Sequence, residues 1–443
     1  MERFEFIGVG AGPSNLSLAA LAEPVTDLSA AFLEVKPRFQ WHPGIMLPGA
    51  ELQVSFMKDL VTLVDPTSRY SFLNFLVDKG RVYRSLMANG TAVSRREFEQ
   101  YYQWAAEQLP SIRFERRVKS VVLGDGGLEV SCEGGERLLA RSLVLGTGKE
   151  PVLPDFAASL RGPEVLHGSE LLTVRPQVAG RRVMVVGAGQ SGAEIVNHLL
   201  SDDRRLPSEL TWVSSREGFL PIDDSPFTNE WFAPPYVDHF QGLSEDRRRT
   251  LLGRQRLASD GVSESLLRSV YRKLYLLDMT GDGRLRHHLV PCRRVVDVRR
   301  RSGALDITLR DEDRDTTQSC AVDVVVFCTG YRSGFPDFME PLRDRLTDSD
   351  GELRVRPDYS LEWDGPADLR IYVQNFAEHT HGIADPNLSL TAWRSARVLN
   401  SIAGREIYRI DHALTTVDWA WEPRTLTHDP APTAPTTTLA EQR

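Results

Sequence analysis

Phe4-Glu5-Phe6-Ile7-Gly8-Val9-Gly10-Ala11-Gly12-Pro13-Ser14-Asn15 decides the fold. It reads as a short apolar strand, a glycine turn, and a helix from Ser14 to about Leu21. Gly8 and Gly10 leave room for a tight turn and for a pyrophosphate to approach the backbone; Gly12 follows, and Pro13 takes the third glycine position while still permitting close helix packing. The helix start offers free N–H groups and the positive end of a dipole. A second apolar run, Ala30-Ala31-Phe32-Leu33, ends at Glu34, an acid placed to hydrogen-bond a ribose hydroxyl. Together these features predict a dinucleotide site, against the blander reading of a structural strand–helix turn.

A second copy of the pattern lies downstream. The buried strand Arg181–Val186 runs into Gly187-Ala188-Gly189-Gln190-Ser191-Gly192, and a helix from Ser191 to Leu200 follows. The next strand, Glu209–Val213, has no acid at its end; Arg216 stands there instead, and an arginine at that place accommodates a 2′-phosphate, so the reading is NADP(H) rather than NAD. The alternative is a solvated loop arginine. Two such folds in one chain point to a flavin enzyme reduced by a nicotinamide nucleotide. The fold class expected is α/β, with two nested Rossmann-like dinucleotide-binding domains, for FAD and NADPH, and a small helical region covering the substrate. The strand Val322–Cys328 and its Thr329-Gly330 echo the strand and Gly146-Thr147-Gly148 turn at 142–148, which suggests a return to the first domain. The expected division is 1–175 for the first part of the FAD domain, 176–321 for the NADPH domain with residues 221–290 roofing the junction, 322–420 for the second part, and a disordered Pro/Thr-rich tail over 421–443.

Composition narrows the function. The chain has 443 residues and a net charge of −8, so a nucleic-acid surface is not expected. The basic clusters at 247–249 and 299–301 sit among acids and read as solvated faces. Cys132, Cys292, Cys320 and Cys328 form no CxxC pair, so neither zinc nor a disulfide framework is indicated, and a reducing cytoplasm is the expected location. The N-terminus starts on a strand, without a signal peptide, and no apolar run approaches the length of a membrane span.

Between the glycine motifs, residues 52–76 suit a loop over a ligand, turning helical after Asp65-Pro66-Thr67. Ser94 and Glu97 predict a capped helix over 98–109, and 113–130 alternates as two strands. A helix from about Leu388 to Ile402 would aim its N-terminus at a flavin ring, where negative charge collects on reduction. A reduced flavin and NADP+ lead either to disulfide reduction or to monooxygenation. The first needs a cysteine pair that is missing; in the second the flavin adds oxygen to give a hydroperoxide that a nucleophilic substrate attacks, and the protein orients the partners and excludes water.

The pieces Trp41-His42-Pro43-Gly44, Leu52-Gln53-Val54-Ser55-Phe56-Met57-Lys58-Asp59-Leu60, Asp224-Ser225-Pro226-Phe227-Thr228-Asn229-Glu230 and His381-Gly382-Ile383 through Ser389-Leu390 resemble the microbial N-hydroxylating flavin monooxygenases of lysine and ornithine, which act in siderophore and related pathways. The resemblance spans about residues 3–404. It implies that Glu34 through His42, including Trp41, line FAD with Gln53, Val118, Pro386, Asn387 and Leu388. It further implies that Gln190, Ser191 and Arg216 hold NADP+, that Lys58 pairs with a substrate carboxylate, that Asn229 holds the backbone end of the amino acid, and that Ser389 lies beside its amine. No side chain is catalytic in the ordinary sense; Gln53, Lys58 and Asn229 position the reactants. Lys58 as a surface lysine, Asn229 as a helix cap, and His42 and His381 as structural histidines are the plainer readings. Where the ornithine branch carries Thr-Asn-Tyr-Ser, this chain has Ser259-Asp260-Gly261-Val262, and 385–394 is closer to the lysine branch. The implied reaction is N6-hydroxylation of L-lysine with O2 and NADPH. Ornithine or a diamine, and an NADPH oxidase without an oxygenation role, are the alternatives. Family habit implies a homodimer or homotetramer.

Overall fold

In the computed structural model, which describes residues 1–89, 93–280, 283–347 and 353–422, strand Glu2–Val9 sits near the middle of the first sheet. Its parallel neighbours are Ala30–Leu33 and Arg137–Leu145, with Ile7 opposite Ala31 on one side and Leu143 on the other. Ile112–Arg113 extends the first flank, and the antiparallel pair Gly127–Cys132 and Val118–Gly124 extends the second. Helix Pro13–Ala22 has no polar face in sequence, and accordingly it is buried from Asn15 to Ala22. It packs against helices Arg95–Gln108 and Thr391–Ala403. Ser94 caps the former by accepting from the Glu97 N–H. The 52–76 segment is made of turns until helix Phe72–Asp78, which starts later than Asp65-Pro66-Thr67 because Ser71 caps it.

The second sheet is wholly parallel, in the order Arg286–Val290, Glu209–Val213, Arg182–Val186, Val324–Phe327, Val165–His167. An antiparallel three-stranded sheet, Arg293–Arg301, Ala304–Asp311 and Thr317–Val322, packs beside it. Between Glu209–Val213 and Arg286–Val290 come helices Pro226–Asn229, Pro234–Gln241, Glu245–Arg254, Arg256–Asp260 and Glu264–Thr280, the helical cover.

This topology corrects the return point. The strand at Val322–Cys328 does not rejoin the first sheet; Val324–Phe327 pairs with Arg182–Val186 in the second. The strand that rejoins the first sheet is Arg370–Val373, against the carboxyl half of Arg137–Leu145. Val165–His167, expected in the first domain, is the edge of the second sheet. The echo that misled has a physical cause: each turn lies beside the glycine turn of its own unit. A Cβ on Gly10 would stand 2.6 Å from the Gly146 carbonyl oxygen, and one on Gly187 would stand 2.4 Å from that of Cys328. Both glycines have positive φ, +87° and +121°, so the turn and the close approach both demand them. The two chain crossings between the units pair with each other, Tyr331 opposite Pro151. The Pro/Thr-rich tail lies outside the described residues from 423 on. Among the described residues no helix is long and apolar enough to cross a membrane.

Candidate active site

A cavity of about 1000 Å³ runs from the first glycine turn to the junction of the two units. Gly10, Gly12, Pro13, Glu34, Trp41, His42 and Val118 line it as expected, together with Pro386, Asn387 and Leu388. Gly8 does not; it lies behind the turn, where a Cβ would strike the Phe32 ring at 2.3 Å. Gly12 is the helix N-cap, with open space where its Cβ would be. The Glu34 carboxylate lines the cavity, yet it also ties the turn down, accepting from the Ala11 N–H at 2.9 Å and the Lys36 N–H at 3.0 Å. His42 takes a left-handed conformation, φ 48°, and burial, with Arg95 and Lys36 nearby, lowers its pKa to about 4, so it is neutral.

Five residues to whose side chains the sequence reading gave no role build the floor: Arg394, Asp385, Gln374, Asn15 and Ser14. Arg394, 1% exposed, donates to the Asp385 carboxylate at 2.9 Å and to its carbonyl, to Ser14 Oγ at 2.9 Å, and to Gln374 Oε1 at 3.3 Å. Gln374 Nε2 donates to Asn15 Oδ1 at 2.8 Å, and Asn15 Nδ2 donates back to the Gly10 carbonyl at 2.8 Å. This network locks the glycine turn to the helix Thr391–Ala403. The signal was present: Arg394 stands one helical turn from the buried Leu390 and Val398, a stripe where an unpaired cation is not tolerated.

The residues present fit an FAD. The open glycine turn and helix start suit a pyrophosphate. Two buried atoms on the cavity wall, Thr391 Oγ1 and Asn375 Oδ1, have no hydrogen-bond partner, and a flavin ring edge supplies such partners.

Beside this cavity, the buried Asp59 shapes the 52–76 loop. Its carboxylate accepts from the N–H groups of Val61, Thr62 and Phe72 at 3.0, 2.7 and 2.7 Å. Lys58 is thereby turned inward, half-buried, and its Nζ donates to Ser389 Oγ at 2.8 Å. No carboxylate of the described residues pairs with it, and burial lowers its pKa. Ser389 Oγ in turn donates to Asn387 Oδ1 at 2.7 Å. Lys58 and Ser389, expected at opposite ends of one amino acid, therefore touch each other.

At the second unit, Gly189 caps helix Gln190–Leu199, in which Ser191 is the second residue. Gly187, Gly189, Gln190 and Ser191 do not line the large cavity. Gln190 is held from three sides. Its Oε1 accepts from Gln53 Nε2 at 3.2 Å and the Ser263 N–H at 3.0 Å, and its Nε2 donates to Glu194 at 2.8 Å. Glu194 forms an ion pair with Arg95 of the first unit. Gln53 thus bridges the units rather than lining the large cavity. Arg216 donates to the Asp260 carbonyl at 3.2 Å, and Arg256 pairs with the Asp260 carboxylate at 3.1 Å. Burial lowers the Arg216 pKa, the nearby Arg256 charge adds to the shift, and Asp260 and Glu217 oppose it. Asn229 does not line the cavity; it is exposed, its Nδ2 donates to the Asp224 carbonyl at 2.8 Å, and Ser225 rather than Asn229 caps the short helix. His381 is buried and stacked 4.0 Å from Tyr359, the structural reading of that histidine. Among the described residues no cluster could hold a metal.

Comparison with known proteins supplies the family. The model described as L-lysine 6-monooxygenase/L-ornithine 5-monooxygenase matches residues 2–333. The chain is 38% identical to the L-lysine N6-monooxygenase of Escherichia coli, over 94% of this chain and 98% of that protein. It superimposes with a TM-score of 0.90 on the FAD-bound cadaverine monooxygenase of the desferrioxamine pathway of Erwinia amylovora, at 34% identity over 96% of this chain and 100% of that one. The Kutzneria ornithine N-hydroxylase with reduced FAD, NADP+ and L-ornithine gives 0.83, at 31% identity over 91% and 99%. With the family model covering most of the chain and both dinucleotide units in place, this chain belongs to the L-lysine 6-monooxygenase/L-ornithine 5-monooxygenase family, the N-hydroxylating, FAD- and NADPH-dependent flavin monooxygenases of siderophore biosynthesis.

Proposed function

We propose that the substrate is L-lysine and that the product carries a hydroxyl on its side-chain nitrogen. The observation that carries this reading is Lys58, a half-buried ammonium with no carboxylate partner among the described residues, beside the segment 386–389. A cation there rewards a ligand with a carboxylate, which a diamine lacks. Identity to the lysine enzyme supports the same reading.

Reduced FAD, loaded with electrons from NADPH, supplies an electrophilic oxygen atom drawn from O2. The chain's own residues do the rest. Lys58 exchanges its bond to Ser389 Oγ for the substrate carboxylate, and Ser389, still bonded to Asn387 Oδ1, flanks that same end of the amino acid. Asn229, on the helical cover, holds the α-substituents. Gln53 and Gln190 keep the two units in register, and Arg216 with Arg256 takes the 2′-phosphate of the nucleotide. The assembly is proposed to be a homo-oligomer, as is common in the family.

The amine must be neutral to attack, and free lysine titrates near about 10.4. Hydroxylamine formation is therefore expected to climb from pH 7 to about 9 in single-turnover assays. The KM for L-lysine should then worsen on the alkaline side. The Lys58 pKa lies below the ordinary lysine value, so its charge is lost earlier than an exposed lysine's would be. A pH-independent KM and rate would contradict both statements.

The test of substrate compares hydroxylamine formed with NADPH consumed for lysine, ornithine, cadaverine and putrescine. Lysine should give the highest kcat/KM and the tightest coupling. A preference for cadaverine, the substrate of the Erwinia enzyme of TM-score 0.90, would overturn the lysine reading in favour of a diamine. NADPH oxidation without hydroxylamine on any amine would leave an oxidase. In the same assay Arg216→Ala should raise the NADPH KM by about tenfold or more and leave the NADH KM unchanged, since only NADPH carries the extra phosphate.

A further inference from the structure

The helical cover belongs to the second unit, yet the first unit grips it from two sides. On its inner side, Asp238 of helix Pro234–Gln241 pairs with Arg397 of helix Thr391–Ala403 at 2.8 Å. The Phe240 ring, fully buried, lies where a Cβ on Gly382 would be 3.4 Å away. Gly382 leads directly into Ile383 and Pro386–Leu388 on the cavity wall.

The outer grip comes from the chain's last described stretch. After helix Thr391–Ala403 the chain is pinned to the first unit, Tyr408 Oη donating to the Leu21 carbonyl at 2.7 Å and Asn400 Nδ2 to the Tyr408 carbonyl at 2.8 Å. It then crosses onto the cover. The N–H groups of Thr416 and Val417 donate to the two carboxylate oxygens of Glu230, each at 2.7 Å. The Trp419 ring stands edge-on to Tyr236, with centroids 4.8 Å apart, and 5.6 Å from His239. Glu230 directly follows Asn229, and Tyr236 is itself buried on the same helix as Asp238 and Phe240. The cover is thus held between the Gly382 turn beneath and the 411–422 arm above.

We propose that this arm is a strap that fixes the helical cover over the amine substrate, with Glu230 and Trp419 as positioning residues for hydroxylation. The proposal rests on the reading above that Asn229 on the cover meets the amino acid. Its physical content is that a bidentate pair of backbone N–H bonds to one carboxylate, plus an aromatic contact, restrains a cover whose motion admits water and releases substrate. Neither residue touches the cavity that fits FAD, so the strap acts on substrate retention and not on the flavin.

The test uses full-length holoenzyme carrying Glu230→Ala, Trp419→Ala, both together, and Glu230→Gln. The alanine variants are expected to raise the KM of the amine by about tenfold and to shift NADPH consumption toward peroxide. The double variant should do no worse than about the larger single effect, because both residues serve one strap. Glu230→Gln, which keeps one acceptor, should recover part of the loss. FAD content and the anaerobic rate of flavin reduction by NADPH should stay within about twofold of the parent. An unchanged KM and coupling ratio in the double variant would overturn the strap, and so would a parallel loss of FAD and reduction rate, which would mark a merely structural contact. If the parent enzyme prefers cadaverine to lysine, the lysine reading fails alone and the same variants are measured on cadaverine, where a coupling ratio equal to the parent's would overturn the strap.

Discussion

Lys58→Ala is expected to raise the KM for L-lysine by about 100-fold, with FAD content unchanged. The reason is local. Lys58 Nζ is half-buried, turned inward by the Asp59-organised loop, and bonded among the described residues only to a neutral hydroxyl, Ser389 Oγ at 2.8 Å. A carboxylate arriving there gains a charge-assisted hydrogen bond away from bulk water, and losing such a contact costs about 2–4 kcal/mol, which spans about 30- to 1000-fold in affinity. FAD is spared because Lys58 does not line the cavity that fits it. Steady-state kinetics on lysine and cadaverine separate the possibilities. The variant should lose its preference for lysine over cadaverine, since the diamine never used the ammonium. An unchanged lysine KM would remove Lys58 from the substrate site.

Arg394→Met is expected to give a protein that purifies largely without FAD and melts at a markedly lower temperature. The Arg394–Asp385 pair is nearly inaccessible, with side chains 2% and 0% exposed. Removing the cation leaves the Asp385 carboxylate buried beside its own loop, and breaking one half of such a pair costs about 3–5 kcal/mol. It also releases Ser14 and Gln374, and through Gln374 it loosens Asn15, which holds the Gly10 carbonyl. Absorbance near the flavin band against protein, and a thermal melt of apo and FAD-supplemented samples, read the two effects separately. Arg405→Met is the control: its pair with Asp27 is half-exposed, so little change is expected. A variant at position 394 that keeps its FAD and its melting point would refute this account of the floor.

These residues show where a sequence can be read and where it cannot. Both glycine turns were legible because the backbone requirement is local: φ is above zero at Gly10 and Gly187, next to a strand and a helix start that are themselves adjacent in sequence. The strands Glu209–Val213 and Arg182–Val186, mostly apolar and buried toward their carboxyl ends, were found within a residue of their ends. The buried floor was not, because Gln374 and Arg394 meet Asn15 and Ser14 across 359 and 380 residues, and no short-range pattern encodes that meeting. The strand Val324–Phe327 was assigned to the wrong sheet because two copies of one unit offer equivalent places for it, and only pairing with Arg182–Val186 distinguishes them. Asn229 illustrates a third case. Its position beside Ser225 was apparent, but its side chain bonds the Asp224 carbonyl five residues back, a local partner that residue type and spacing alone do not select.

The paired crossings at Glu150–Pro151 and Tyr331–Arg332 have a practical corollary. Because the segment that departs and the segment that comes back lie side by side, the whole nicotinamide-binding unit is a cassette with adjacent ends. Chimeras joined at those two points would splice a donor's cassette into this scaffold without stretching either junction. Such grafts would exchange the electron-donor site and the helical cover together, while leaving the FAD-binding unit, with Lys58 and Ser389, as it is.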